Sequence, residues 1–119
     1  MPLVRQNAAA GKAWQDAVAV DTAQTEYNVQ QNVMLKTQSG VKTQMDVVST
    51  QRSGNIALRE AKSSASARLS PRQKLAHPEI EKTGAVVVGK GKPGYPRGTV
   101  IPPTKVQVVR PPLPKNPNP

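Results

Sequence analysis

The spacing of apolar residues changes from helical to alternating and back as the chain proceeds. Between Ala9 and Gln24, Trp14, Ala17 and Val18 recur at i, i+3 and i+4, a narrow stripe that predicts an amphipathic helix with Trp14 as its anchor. Alternation then takes over. In Y-N-V-Q-Q-N-V-M-L-K-T-Q, residues Val29, Val33 and Leu35 read as one face of a strand. Ser39-Gly40 marks a turn, V-K-T-Q-M-D-V-V-S-T supplies a second strand, and Ser53-Gly54 a second turn. The third strand, I-A-L-R-E-A-K-S-S, sets Ile56 and Leu58 on the same face as Glu60 and Lys62.

A helix start follows. Ser70 can cap, Pro71 suits the first helical position, and Gln73 completes a Ser-x-x-Gln capping box. Pro78 is expected to kink or divide this helix, and Gly84 to end it. A-V-V-V-G has the wholly apolar character of a strand covered on both faces. Joined to the third strand through a helix, it predicts a parallel, right-handed crossover. K-G-K-P-G-Y-P-R-G reads as a flexible basic loop, and T-V-I-P-P-T-K-V-Q-V-V-R as one further strand whose prolines suit an edge. The expected organisation is a loose lead-in over 1–10, a single domain over 11–110, and a Pro-rich flexible tail over 111–119. The fold class is α/β (α+β): the order αβββαβ, with a mixed sheet flanked by helices.

Composition narrows the function classes. Seventeen Lys and Arg against 7 Asp and Glu give a net charge of +10, which favours a polyanionic partner such as nucleic acid. The chain has no cysteine, so disulfide and zinc-thiolate sites are excluded. Its one histidine, His77, precedes Pro78 and reads as a surface or packing residue. Only Trp14, Tyr27 and Tyr95 are aromatic, too few for the stacking platforms of single-strand binders. No apolar run is long enough to span a bilayer, so no membrane segment is expected in this fragment. The first ten residues lack the apolar core of a signal peptide.

The chemistry concentrates in Asp46, Glu60 and Lys62. If the strands carrying them are neighbours, two carboxylates and an ammonium meet at one place. Paired carboxylates repel unless a divalent cation joins them, and hard cations prefer oxygen ligands. A lysine beside such a cation can orient an attacking water and offset charge developing on a phosphate. Asp46 and Glu60 are thus the expected ligands of Mg²⁺, with Mn²⁺ or Zn²⁺ as alternatives. Lys42, Arg59, Arg68, Arg72 and Lys74 are candidates for neutralising the substrate backbone, as are Lys90, Lys92 and Arg97 of the basic loop. Gln73 is a possible accessory residue, provided its helix packs over the site.

The spacing Asp46…Glu60-x-Lys62 resembles the core motif of the PD-(D/E)xK nucleases, the restriction-endonuclease-like fold. Met45 stands where that family often has proline. E-A-K-S-S, L-S-P-R-Q-K and G-A-V-V-V-G-K-G-K-P-G-Y-P-R-G-T-V-I-P-P-T-K-V resemble the C-terminal toxin domains of contact-dependent growth inhibition and filamentous-haemagglutinin-like proteins. The matching segments cover roughly residues 40 to 112. The resemblance implies a metal-dependent endonuclease, with DNA ahead of tRNA as substrate. Asp16 or Glu26 is then a candidate for a further metal ligand. It also implies a cognate, acidic immunity protein, carriage within a larger secreted or cell-surface bacterial protein, and action in the cytoplasm of a target cell. The other expectation is a non-enzymatic basic module that binds nucleic acid or serves in assembly.

Overall fold

The computed structural model describes the backbone of residues 3–113 and side chains from Ala9 onward. Helix α1 (Leu3–Ala23) leads into three antiparallel strands, β1 (Tyr27–Thr37), β2 (Lys42–Thr50) and β3 (Ile56–Ala61). Helix α2 (Pro71–Thr83) and five short strands follow: β4 (Ala85–Val87), β5 (Gly91–Lys92), β6 (Tyr95–Pro96), β7 (Val100–Ile101) and β8 (Val106–Val109). Six strands form one mixed sheet in the order β7-β4-β1-β2-β3-β8, while β5 and β6 make a separate hairpin. The architecture is α+β, and the expected order αβββαβ opens it.

Each helix covers its own core. Ala76 and Ile80 of α2 pack with Leu35, Met45, Val48, Leu58 and Val87. Val18 and Ala19 of α1 pack with Val47, joined by the half-buried Trp14 and Val29. Adjacent residues Val47 and Val48 feed different cores, as alternation along a strand requires of a sheet sandwiched between helices. Trp14 is the expected anchor, and its indole Nε1 also donates to the Val109 carbonyl at 2.9 Å.

The capping box at α2 forms as read. Ser70 accepts from the Gln73 backbone N–H at 3.2 Å, and the Gln73 side chain accepts from the Ser70 N–H at 2.8 Å. The helix ends at Gly84, whose φ of 79° suits a residue without Cβ. A Cβ there would sit 2.1 Å from the Ile101 carbonyl oxygen, so close packing requires glycine as well.

Several expectations are corrected. The helix α1 begins at Leu3, inside the stretch read as a lead-in. Pro78 lies within α2 without dividing it; the residue is exposed, and buried Ala76 and Ile80 on either side hold both turns to the sheet. Val29 leaves the face of Val33 and Leu35, because left-handed Asn28 (φ 48°) and Asn32 (φ 59°) and a register shift break the alternation in β1. The strand β4 pairs antiparallel with β1, not parallel with β3. The parallel partner of β3 is β8. The last expected strand splits in two at Pro102-Pro103, placing β7 and β8 on opposite edges of the sheet. The basic loop is an anchored hairpin, since Tyr95 is buried and its hydroxyl meets Thr50 Oγ1 at 2.8 Å. Of the tail, residues 114–119 lie outside the described residues.

Candidate active site

The register Val47↔Arg59 makes Asp46 and Glu60 the next opposed pair on β2 and β3. Asp46 is held in place twice. Its Oδ2 accepts from the Ala61 backbone N–H at 2.8 Å, and Gln15 of α1 donates to its carbonyl at 3.2 Å. Glu60 has no solvent-exposed surface. Its Oε1 lies 3.2 Å from His77 Nε2, and its Oε2 accepts from Gln73 Nε2 at 3.3 Å. Burial pushes the Glu60 carboxyl up to about 7; the neighbouring Asp46 adds to this, while the bond to His77 opposes it.

Lys62 follows the last residue of β3. Its backbone N–H donates to Val109 at 3.0 Å, extending the β3–β8 pairing, and its Nζ donates to Gln73 Oε1 at 2.8 Å. Gln73 therefore touches Glu60, Lys62 and the cap of its own helix at once. Beside these groups lies a cleft of about 350 Å³ lined by Met34, Lys42, Gln44, Asp46, Arg72 and Gln73. A roomier hollow of about 520 Å³, between Lys36–Gln38 and Thr83–Val86, contains no acidic side chain.

The sequence-read residues divide accordingly. Asp46, Glu60, Lys62 and Gln73 converge, with Lys42 and Arg72 on the rim of the cleft. Arg68 and Lys74 are exposed on and just before α2. Asp16 is elsewhere, paired with Lys12 at 3.2 Å. Glu26 and Arg59 form an ion pair at 2.6 Å, with Ser49 bonded to the same carboxylate. Arg59 alternates with Glu60 along β3, so this pair serves the α1 side of the sheet and neither residue reaches the cleft. Burial raises the Glu26 carboxyl, but Arg59 and Ser49 outweigh it and hold the group below the ordinary carboxylate range. Lys90, Lys92 and Arg97 belong to the hairpin that Tyr95 ties to Thr50. Thr50 lies four positions beyond Asp46 along β2, about 13 Å at roughly 3.3 Å per residue.

No family model, curated protein or solved structure matches this chain.

His77 is the residue that reading the sequence missed. Its place before Pro78 suggested a helix break, yet α2 continues and the imidazole reaches Glu60. The signal was present in the spacing: Gln73 and His77 are four apart and share a helix face. Among the described residues no set of three acidic or histidine side chains converges as a ready metal cage. Asp46 and Glu60 supply two carboxylates, which is the donor set Mg²⁺ commonly uses when waters and substrate phosphates complete its shell. The fit is that of a cation shared between protein and substrate.

Proposed function

We propose that the domain hydrolyses phosphodiester bonds of nucleic acid with the help of a divalent cation, DNA being preferred over tRNA. The observation that carries this reading is the convergence of Asp46, Glu60 and Lys62 beside a cleft edged by Lys42 and Arg72. Asp46 and Glu60 would hold the cation through their carboxylate oxygens. A cation so held supplies Lewis acidity toward a phosphoryl oxygen and stabilises charge on the leaving group. Lys62 orients the attacking water and offsets negative charge at phosphorus, its Nζ being aimed by Gln73. Lys42 and Arg72 neutralise flanking phosphates and fix the strand in register.

In biological terms the domain is proposed to be the toxic effector of a larger secreted or cell-surface bacterial protein, active in the cytoplasm of a target cell. Its net charge of +10 supports pairing with an acidic immunity protein in the producing cell. The test is incubation of the purified protein with plasmid, genomic DNA and total tRNA, each with Mg²⁺, Mn²⁺, Zn²⁺ or EDTA. Cleavage lost in EDTA and in Asp46→Ala or Lys62→Ala supports the reading.

One observation favours a second reading. Glu60 is fully enclosed and both its oxygens are bonded within the fold, as in a purely structural polar network. The domain would then be a basic nucleic-acid-binding or assembly module. Binding without cleavage under every metal condition would select it.

A further inference from the structure

We infer that His77 is a positioning residue of this site: with Gln73 one turn earlier on α2, it clamps the two oxygens of Glu60 so that the remaining lone pairs are presented toward Asp46 and a shared cation. The inference rests on the metal-site reading above and adds to it the device that sets the geometry.

The orientation of every group in the clamp follows from its partners. Gln73 Oε1 accepts from both Lys62 Nζ and the Ser70 N–H, each at 2.8 Å. A side-chain amide whose oxygen is pinned by two donors must turn its nitrogen the other way, so Nε2 faces Glu60 Oε2 at 3.3 Å. In the ionised form that would bind a cation the carboxylate only accepts, so the clamp requires His77 Nε2 to carry its hydrogen toward Oε1, 3.2 Å away. A carboxylate offers about four lone-pair positions, and the clamp uses two. Two are left over, and the carboxylate opposed to Glu60 across the β2–β3 register is that of Asp46.

The clamp is rigid because α2 cannot roll. Ala76 and Ile80 are buried in the sheet-facing core. At the far end of the helix Glu79 accepts from the backbone N–H and the hydroxyl of Ser39, each at 2.7 Å. Fixed between these ties, Gln73 and His77 hold Glu60 in one rotamer before any ligand arrives, the arrangement that lowers the cost of binding a cation.

The experiment measures Mn²⁺ and Mg²⁺ binding to the full chain by calorimetry, together with the cation concentration giving half-maximal cleavage. Proteins compared are wild type, His77→Leu and His77→Gln. Loss of an outer partner to a metal-ligating carboxylate typically weakens affinity 10- to 100-fold, and roughly that loss is expected for His77→Leu. His77→Gln retains a donor near Nε2 and should recover most of it, which a merely space-filling imidazole would not allow. A labile ring proton of the single histidine should also be visible by NMR in the metal-free protein, since a clamped N–H exchanges slowly. Equal cation affinity in wild type and His77→Leu overturns the inference while leaving the nuclease reading standing. Absence of cation binding by wild type sinks the nuclease reading. It overturns the clamp as a metal-positioning device with it, and in a protein that does bind the cation an absent ring proton overturns the clamp alone.

Discussion

Replacing Glu60 by Gln should remove the loss of stability that wild type suffers as pH rises and, on the proposed reading of the site, abolish cleavage. In the folded chain the Glu60 carboxyl is pushed up to about 7 from an ordinary 4.5, first by burial and then by the Asp46 carboxylate beside it. Between those values the native state keeps a proton that the unfolded chain releases. Unfolding then loses protons, so stability declines as pH rises. The contribution is complete below about 4.5 and is lost as pH passes through about 7. At about 1.4 kcal/mol per pH unit, the interval amounts to about 3 kcal/mol. A Gln amide has nearly the same shape; it can donate to Asp46 and accept from His77, at the pH-independent cost of setting its NH2 against Gln73 Nε2. It carries no charge to desolvate at any pH.

The assay is urea unfolding of wild type and Glu60→Gln at intervals from pH 5 to 8.5. Whatever constant offset the amide introduces, the variant should gain about 3 kcal/mol on wild type between the acid and the alkaline end. For a domain of this length that difference corresponds to roughly 10 °C in melting temperature. Parallel pH profiles would refute the argument that Glu60 is held in an unfavourable ionised state. A divalent cation bound by Asp46 and Glu60 must displace the same proton. Cation affinity in wild type should therefore climb as pH rises through about 7.

Further outcomes follow from other parts of the structure. On the proposed metal reading, millimolar Mg²⁺ or Mn²⁺ should raise the melting temperature of wild type by calorimetry, and Asp46→Ala should abolish both that rise and cleavage. Glu26→Ala leaves Arg59 and Ser49 without their partner on the α1 side, so chemical denaturation should show a loss of about 2 kcal/mol with cleavage retained by the folded fraction. Gly84→Ala forces a Cβ against the Ile101 carbonyl at a left-handed φ, and should cost about 2 kcal/mol or more, read as a lower urea midpoint. An acidic immunity partner should associate at a rate that falls steeply between low and physiological salt; a salt-independent rate in stopped flow would exclude charge steering by the +10 chain.

What the sequence made legible was local. The capping box at Ser70 and Gln73, the stop at Gly84 and the turns after Thr37 and Thr50 depend on residues a few positions apart. The opposed placement of Asp46 and Glu60 follows from two strands joined by a short turn, so it too could be read directly. Pairing across long separations could not. Whether β4 joins β1 or β3 depends on which edge its short apolar run can cover, and β8 takes the place beside β3 instead. Basic residues were also indistinguishable by composition alone: Arg59 proves to be committed to Glu26, while Arg72 borders the cleft. A positive charge reads the same in sequence whether it faces solvent or a buried carboxylate.

The contrast between those two carboxylates bears on function. Glu26 is partly buried beside a guanidinium that favours its charge, an arrangement with a structural purpose. Glu60 is more deeply buried, faces a second carboxylate, and has only a glutamine and a histidine to offset the burden. A glutamine at position 60 would carry no charge against the fold at neutral pH, but its NH2 would face either the Gln73 or the His77 donor, so the two acceptor oxygens of a carboxylate are what this pair of neighbours calls for. A charge so placed is best balanced by a cation arriving from outside the chain. Lys62, two residues on, gives its Nζ to Gln73 and not to Glu60, and on the proposed reading it would stand beside that cation. The difference between a carboxylate neutralised by a guanidinium and one that is hydrogen-bonded but set against a second carboxylate is the physical basis for the proposed hydrolytic site.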